Sequence, residues 1–220
     1  PKAAAWVGTT NFDLRKPNFV VIHHTAQNSC EQTLRTFTLE RSKVSAHYVI
    51  CKDGTIHHML NDYMRAWHGG ISKWGNNSDL NSSSIGIELD NNGFEPFDSA
   101  QINSLLLLLA QLKENYKIPN ANFIGHADIA PKRKVDPNIQ FPWILLAQKG
   151  YGLWFEPDAK FSLPESISIP FALAMVGYDI KDTTAALLAF KRHFRADSTA
   201  VVTENDRSVL FQLIQNKLSN

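Results

Sequence analysis

The chain has 220 residues, of which 44% are hydrophobic, 10% aromatic and 20% charged, which is enough apolar content for a packed core and too much for a disordered or fibrous chain. Its formal net charge of +1 argues against a nucleic-acid-binding protein, which would carry a strong basic excess. Two cysteines are too few for a disulfide scaffold or a four-cysteine zinc site, and the longest apolar run, 105–110, is far shorter than the roughly 20 residues that span a bilayer.

Short apolar and β-branched runs predict the strands, which are 18–23, 46–51, 55–60, 85–89 and 122–125. Asp53-Gly54, between the second and third runs, is typical of a hairpin turn. Ser29 is a predicted cap for a first helix. Asp98, with Gln101 three residues later, resembles a capping box at the start of a long and largely apolar helix. This mixture of strands and helices predicts a mixed α/β domain with a central sheet flanked by helices.

The composition changes after Gly150. Residues 151–164 contain glycine and proline and are typical of a linker. Three short helices are predicted after it: 167–176, ended by a glycine; 182–194, begun by an acidic cap; and 203–218, begun by a capping box. The predicted organisation is therefore a first domain over 1–150, a linker over 151–164 and a small three-helix bundle over 165–220.

Two histidines stand at strand ends. His23 follows the apolar run 20–22, His126 follows 123–125, and Asp136 lies in the loop that comes next. If the two strands are neighbours, their ends bring the histidines together and the loop can supply the carboxylate. Two imidazoles and one carboxylate with an open position form a catalytic zinc arrangement. Surface or core histidines are the alternative, because ligands so far apart in sequence form no recognisable spacing.

Glu88 and the basic run 132–134 are further candidates, for acid–base and electrostatic roles. Glu88 lies in the apolar strand 85–89, where alternation places it on the face opposite Ile85, Ile87 and Leu89. Beside a metal-bound water it would act as a general base; the alternative is an edge-strand carboxylate in solvent. The basic run 132–134 is either a solvated loop or supplies one cation to stabilise an oxyanion.

The chain resembles the type 2 N-acetylmuramoyl-L-alanine amidases. The stretches that carry the resemblance follow the family's order and are VVIHHTA (20–26), SAHYVICKDGTI (45–56), AWHGGISKW (66–74), SSIGIELDNNG (83–93) and NFIGHADIAPKRKVDPNIQFPW (122–143). The segments VGYDI (176–180) and ALLAFKRHFR (186–195) resemble the three-helix peptidoglycan-binding domain of Gram-negative outer-membrane lipoprotein amidases.

The resemblance implies one Zn²⁺ held by His23, His126 and Asp136, with Glu88 and Lys134 as catalytic residues. The implied reaction is hydrolysis of the amide between N-acetylmuramic acid and the L-alanine of the peptidoglycan stem peptide, in cell-wall turnover or remodelling. A non-catalytic peptidoglycan-recognition protein on the same fold is the main alternative. The chain has no HExxH motif, so the commonest class of zinc peptidase is excluded.

Other positions receive roles from the same resemblance. Trp67, His68 and Asn81 fall in loops that line the substrate groove of relatives. His24 is expected to be structural because alternation along the strand points it away from His23, and His47 is expected to lie in the core or beside the site. Peptidoglycan or muropeptides are the expected partner, with no nucleic acid, and a monomer is expected.

The resemblance also bears on the cysteines and on the location. Cys30 and Cys51 are expected to be buried free thiols, with a disulfide in an oxidising periplasm as the alternative. The chain starts at Pro1 without a signal-peptide pattern, and a cleaved leader would leave the same start. The expected location is the periplasm or cell envelope, with a lipid anchor to the outer membrane on a removed segment.

Overall fold

The computed structural model describes residues 7, 11, 14–158 and 161–219; the predicted first domain, 1–150, begins outside this part. The central feature is a mixed sheet with the strand order β3-β2-β4-β1-β5. Its strands are β1 (Phe19–His24), β2 (Tyr48–Ile50), β3 (Ile56–His58), β4 (Ser84–Leu89) and β5 (Phe123–Gly125). β1 pairs in parallel with β4 and β5, β2 is parallel to β4, and only β3, joined to β2 by the predicted hairpin, is antiparallel within this sheet. The predicted strands and the predicted fold class are confirmed.

The helices of the described residues are α1 (Cys30–Thr38), α2 (Leu80–Ser83), α3 (Ser99–Tyr116), α4 (His126–Ile129), α5 (Trp143–Gln148), α6 (Ile169–Val176), α7 (Thr183–Arg195) and α8 (Glu204–Leu218). The Ser29 side chain caps α1 by accepting from the Gln32 N–H, and Thr203 with Asp206 forms a full capping box on α8. Both caps confirm the sequence prediction, as does Gly177 at the end of α6.

The capping box predicted at the start of α3 is wrong. Asp98 occupies the N-cap position, but its side chain makes no capping hydrogen bond. Gln101 instead points into the protein, where its Nε2 donates to the carbonyls of Ile50 and Asp90. Ile50 is the last residue of β2 and Asp90 directly follows β4, so Gln101 joins α3 to the ends of these strands.

The two faces of the sheet are covered by different helices. Apolar side chains of β1 and β4, such as Ile22 and Ile87, pack in one core with α3 and α5. Val21 and Ile124 face the other way and share a continuous core with Phe190 of α7 and with residues of α6 and α8. The three predicted C-terminal helices therefore pack directly behind the sheet. No helix among the described residues has the length and hydropathy needed to cross a membrane.

Cys30 and Cys51 form a disulfide, with their Cα atoms 5.4 Å apart. The expectation of two free thiols is therefore wrong. Cys30 begins α1 and Cys51 directly follows β2, and packing of that helix beside the strand end brings the two residues within the normal Cα distance for a disulfide. The bond ties α1 to the sheet.

Candidate metal centre

The three predicted metal ligands lie together at one edge of the sheet. His23 stands near the end of β1, His126 begins α4 directly after β5, and Asp136 comes from the following loop. Because β1 and β5 are parallel neighbours, their carboxyl ends meet at the same edge. All three side chains are buried.

The donor atoms of these residues fit a zinc ion. Nδ1 of His23 lies 2.8 Å from Nδ1 of His126, and Oδ2 of Asp136 lies 3.2 Å from the first nitrogen and 3.0 Å from the second. Ligand atoms about 2.0 Å from a tetrahedral zinc are about 3.3 Å from one another. The triangle is thus close in size to one face of such a tetrahedron, and the donor set is one that zinc prefers.

Burial and charge favour the protonation states that a cation needs. Burial, and next the neighbouring His126, lower the pKa of His23 to about 4, so its ring is neutral at neutral pH. Burial alone would raise the pKa of Asp136, but the close contacts with His126 and His23 outweigh it and hold that pKa well below its usual value. The site offers a neutral imidazole and a carboxylate as donors.

The outer nitrogen of His23 is fixed by a chain of hydrogen bonds. Nε2 of His23 lies 3.0 Å from Nδ1 of His68, and Nε2 of His68 lies 3.1 Å from Oγ of Ser84. Ser84 donates its own proton to the Leu80 carbonyl, so His68 donates from Nε2 and accepts at Nδ1. This arrangement keeps the proton of His23 on Nε2 and leaves Nδ1 free for a metal, because a hydrogen bond at one ring nitrogen of a histidine fixes the tautomer that the metal meets at the other.

Gly86 leaves the space that the His68 ring occupies. A Cβ atom at that position would lie 2.4 Å from Cγ of His68. A larger residue in the middle of β4 would therefore displace the His68 ring from its position behind His23.

The outer nitrogen of His126 is held by the loop that follows His68. Nε2 of His126 donates to the Gly69 carbonyl over 3.2 Å, and Nη2 of Arg133 donates to the same carbonyl over 2.9 Å. Asn81 accepts from the backbone N–H groups of His68 and Gly69. No sequence pattern indicates the contacts of Ser84 or of the Gly69 carbonyl, because these contacts join segments that are remote in sequence.

Glu88 is paired in register with His23 in the β1–β4 ladder. Its Oε1 lies 3.9 Å from Nδ1 of His23, and its Oε2 is buried without a hydrogen-bond partner among the described residues. Burial, and next the charge of Asp136, raise the pKa of Glu88 to about 8, while Lys134 acts in the opposite direction. The alternative of an edge-strand carboxylate in solvent is wrong, because β4 is a central strand.

A cavity of about 380 Å³ opens over the three donors. Its lining includes Glu88, Lys134, Trp67 and Phe37. Trp67 is 49% exposed, which leaves an aromatic face for a ligand.

The other predicted site residues differ in their relation to this cavity. His68 is one of its lining residues, and Asn81 is buried against the backbone of His68 and Gly69. Substrate contacts for Trp67, His68 and Asn81 stay predictions. His24 accepts from the Asn138 N–H, and His47 accepts from the Gly86 N–H, both through Nδ1. Both contacts agree with structural roles.

A buried group of two histidines and one carboxylate that could hold a metal ion, beside an open cavity and a glutamate, is an arrangement typical of hydrolases. The family model described as N-acetylmuramoyl-L-alanine amidase matches residues 13–139. The amidase AmiD of Escherichia coli is 37% identical over 209 residues, covering 80% of this chain and 74% of AmiD. The chain therefore belongs to the N-acetylmuramoyl-L-alanine amidase family.

Other relatives and solved structures agree. The 1,6-anhydro-N-acetylmuramyl-L-alanine amidase AmpD of Haemophilus influenzae is 41% identical over 102 residues, which cover 46% of this chain and 55% of AmpD. The structure of AmiD from E. coli in complex with anhydro-N-acetylmuramic acid-L-Ala-D-γ-Glu-L-Lys has a TM-score of 0.83 and 30% identity, and covers 96% of this chain and 93% of that one. AmpDh3 from Pseudomonas aeruginosa, in complex with anhydromuramic pentapeptide, has a TM-score of 0.83 and 26% identity, and covers 98% and 97%.

Proposed function

We propose that this amidase hydrolyses the bond between N-acetylmuramic acid and L-alanine with one zinc ion held by His23, His126 and Asp136. The observation that carries the proposal is the convergence of the three donor atoms within 3.2 Å of one another beside an unpartnered Glu88 oxygen. A zinc ion bound there would polarise the scissile carbonyl and lower the pKa of a water molecule.

The chain's own residues then carry the proton and the charge. Glu88 accepts a proton from the attacking water, whose oxygen forms a bond to the carbonyl carbon of the lactyl group. Lys134 stabilises the negative charge that develops on the carbonyl oxygen. Glu88 returns the proton to the alanine nitrogen as the C–N bond breaks, which leaves a lactyl carboxylic acid and a free amino group. The acid proton then passes to the amino group, so the products are a carboxylate and an ammonium. Deep burial of Glu88 favours this role, because a desolvated carboxylate holds a proton readily.

The substrate class follows from the cavity and from the relatives. AmiD and AmpDh3 have structures in complex with anhydromuramyl peptides, and the cavity of this chain holds an exposed aromatic wall beside the donors. We propose that a muropeptide or peptidoglycan strand lies along Trp67, with its scissile amide between Glu88 and Lys134.

Mass spectrometry of the products from intact sacculi, with and without a chelator, tests the proposal. Free stem peptides beginning with L-alanine should appear, and the chelator should abolish them until zinc is restored. His23→Ala should lose both zinc and activity, whereas His58→Ala, whose side chain is 53% exposed, should keep both. A wild-type protein that binds about one zinc without releasing stem peptide would instead be a non-catalytic recognition protein.

The location and the C-terminal helices are further parts of the proposal. The disulfide supports a protein that functions in an oxidising compartment such as the periplasm; attachment to the outer membrane and a monomeric state stay predictions. We propose that residues 165–220 bind peptidoglycan. Phe171 on α6 is exposed, and Phe171→Ser should weaken sedimentation with insoluble sacculi while small muropeptides are hydrolysed normally. Unchanged sedimentation would count against the binding role.

A further inference from the structure

We propose that Tyr178 and His193, which belong to the C-terminal segment, position the metal-binding helix α4 by holding the carboxylate of Asp128. Neither side chain touches a metal ligand directly. Their effect passes through Asp128, two residues after His126, and through the backbone on both sides of it. The inference rests on the proposed zinc site.

Asp128 is a buried carboxylate with partners from both parts of the chain. Oδ1 accepts from the Tyr178 hydroxyl over 2.9 Å, and Oδ2 accepts from Nδ1 of His193 over 2.7 Å. Oδ2 also accepts from the Gly125 N–H over 2.7 Å. A buried carboxylate is costly unless its oxygens accept hydrogen bonds. Two of these three hydrogen bonds come from the C-terminal segment.

The third hydrogen bond connects Asp128 to the ligands. Gly125 is the last residue of β5, and its N–H is fixed where α4 begins, immediately before His126. The Ala127 N–H in turn donates to the Asp136 carbonyl over 2.7 Å. A displacement of Asp128 would therefore move the helix start that carries one ligand and loosen the backbone contact to the other.

Close packing makes this connection stiff. The His193 ring stacks on Trp143 at 3.8 Å between centroids and on Phe194 at 4.0 Å. A Cβ atom on Gly125 would lie 2.9 Å from Cδ of Pro137, which follows Asp136, and 3.1 Å from the Trp143 ring. The segments that carry His126 and Asp136 are thus packed against the same aromatic stack as His193.

This geometry distinguishes positioning from general stabilisation. If the C-terminal helices only bury apolar surface behind the sheet, loss of the two hydrogen bonds should lower zinc affinity no more than another destabilising substitution in the C-terminal segment. If they orient α4, zinc affinity should respond specifically, because loss of an outer partner typically weakens metal binding by about 10–100-fold. An indirect contact should give a loss at the lower end of that range.

The test compares the full-length double variant Tyr178→Phe/His193→Phe with Leu187→Ala. The double variant keeps an aromatic ring at both positions and removes both side-chain donors to Asp128. Leu187 is buried in the same core of α7 and donates nothing to Asp128. Zinc affinity is measured by competition with a chromophoric chelator, alongside urea unfolding of the metal-free proteins and kcat and KM on a muropeptide.

We expect the double variant to bind zinc on the order of 10-fold more weakly, with kcat reduced when zinc is limiting and recovered towards the wild-type value at saturating zinc. Leu187→Ala should lower the urea midpoint while keeping wild-type zinc affinity. Wild-type affinity in the double variant, or an equal loss in Leu187→Ala, would overturn the inference. A wild-type protein that binds no zinc would instead overturn the proposed function.

Discussion

Glu88 faces His23 across the β1–β4 pair, with its Oε1 3.9 Å from the His23 nitrogen that points to the candidate metal position. This distance is too long for a hydrogen bond. The Glu88 carboxylate therefore lies beside the three donor groups and is not itself a donor to the metal position. The parallel register sets this relationship, since residues at the same level on neighbouring strands share a face. A carboxylate in this position can accept and donate a proton without binding the metal.

Glu88→Gln should therefore abolish most activity while zinc binding persists. The amide keeps the size of the side chain but cannot accept a proton from water, so we expect kcat to fall by about 10²–10⁴-fold. Zinc content by atomic absorption should stay near that of the wild type. Glu95→Gln is the matched control, because Glu95 follows the same strand but pairs with Lys52 away from the cavity. Near-normal turnover in Glu88→Gln would contradict the role of Glu88 as base.

Lys134→Met should slow the chemical step without changing substrate binding greatly. Lys134 lines the cavity, and removal of a donor that stabilises an oxyanion typically lowers kcat by about 10²–10³-fold. Lys132→Met provides the comparison, since the Lys132 side chain is 80% exposed and faces Asp182. Steady-state kinetics on a muropeptide separates kcat from KM. An increase in KM alone would indicate that Lys134 holds the substrate instead.

The sequence predicted those parts of the fold that depend on local patterns. Period-two alternation correctly placed Glu88 opposite Ile87, and the caps at Ser29 and Thr203 were correct because a cap is formed within one helical turn. Gln101 was interpreted wrongly because its side chain can hydrogen-bond either to the helix start or to backbone carbonyls of the sheet, and the sequence does not distinguish the two. The contact with the carbonyls of Ile50 and Asp90 prevails there.

The site was predictable only where strand ends imply proximity. His23 and His126 meet because their strands are parallel neighbours, a relationship that two buried apolar runs suggest. The contact between Asp128 and His193 joins residues 65 positions apart, and the one between His23 and His68 joins residues 45 positions apart. Neither pair forms a periodic or spaced motif, so only the folded chain reveals them.

Reduction of the Cys30–Cys51 disulfide should destabilise the protein. The bond closes a loop with a sequence separation of 21 residues, and chain entropy predicts a loss of roughly 3 kcal/mol when a loop of that size is released. Urea unfolding with and without a reductant measures the effect. The Cys30→Ser/Cys51→Ser variant should match the reduced wild type and should not respond to the reductant. Equal stability of the oxidised and reduced wild type would contradict this account.

His47 should make the stability depend on pH below neutrality. The ring is fully buried between Gly86 and Met64, and burial lowers its pKa in the folded protein from 6.5 to about 4. Between these values the unfolded chain binds a proton that the folded chain does not, so stability falls as the pH falls through this window. Through this single group, the free energy of unfolding should be about 2 kcal/mol lower at pH 5.0 than at pH 7.5.

His47→Gln isolates that contribution from those of the other histidines. Glutamine can still accept from the Gly86 N–H and donate to the Met64 carbonyl, and it does not titrate. Urea unfolding at pH 7.5 and pH 5.0 should show that the variant loses about 2 kcal/mol less than the wild type over this interval. Because His23 is present in both proteins, its titration cancels in the comparison. Equal losses in the two proteins would mean that His47 is protonated as readily in the folded state as in the unfolded chain.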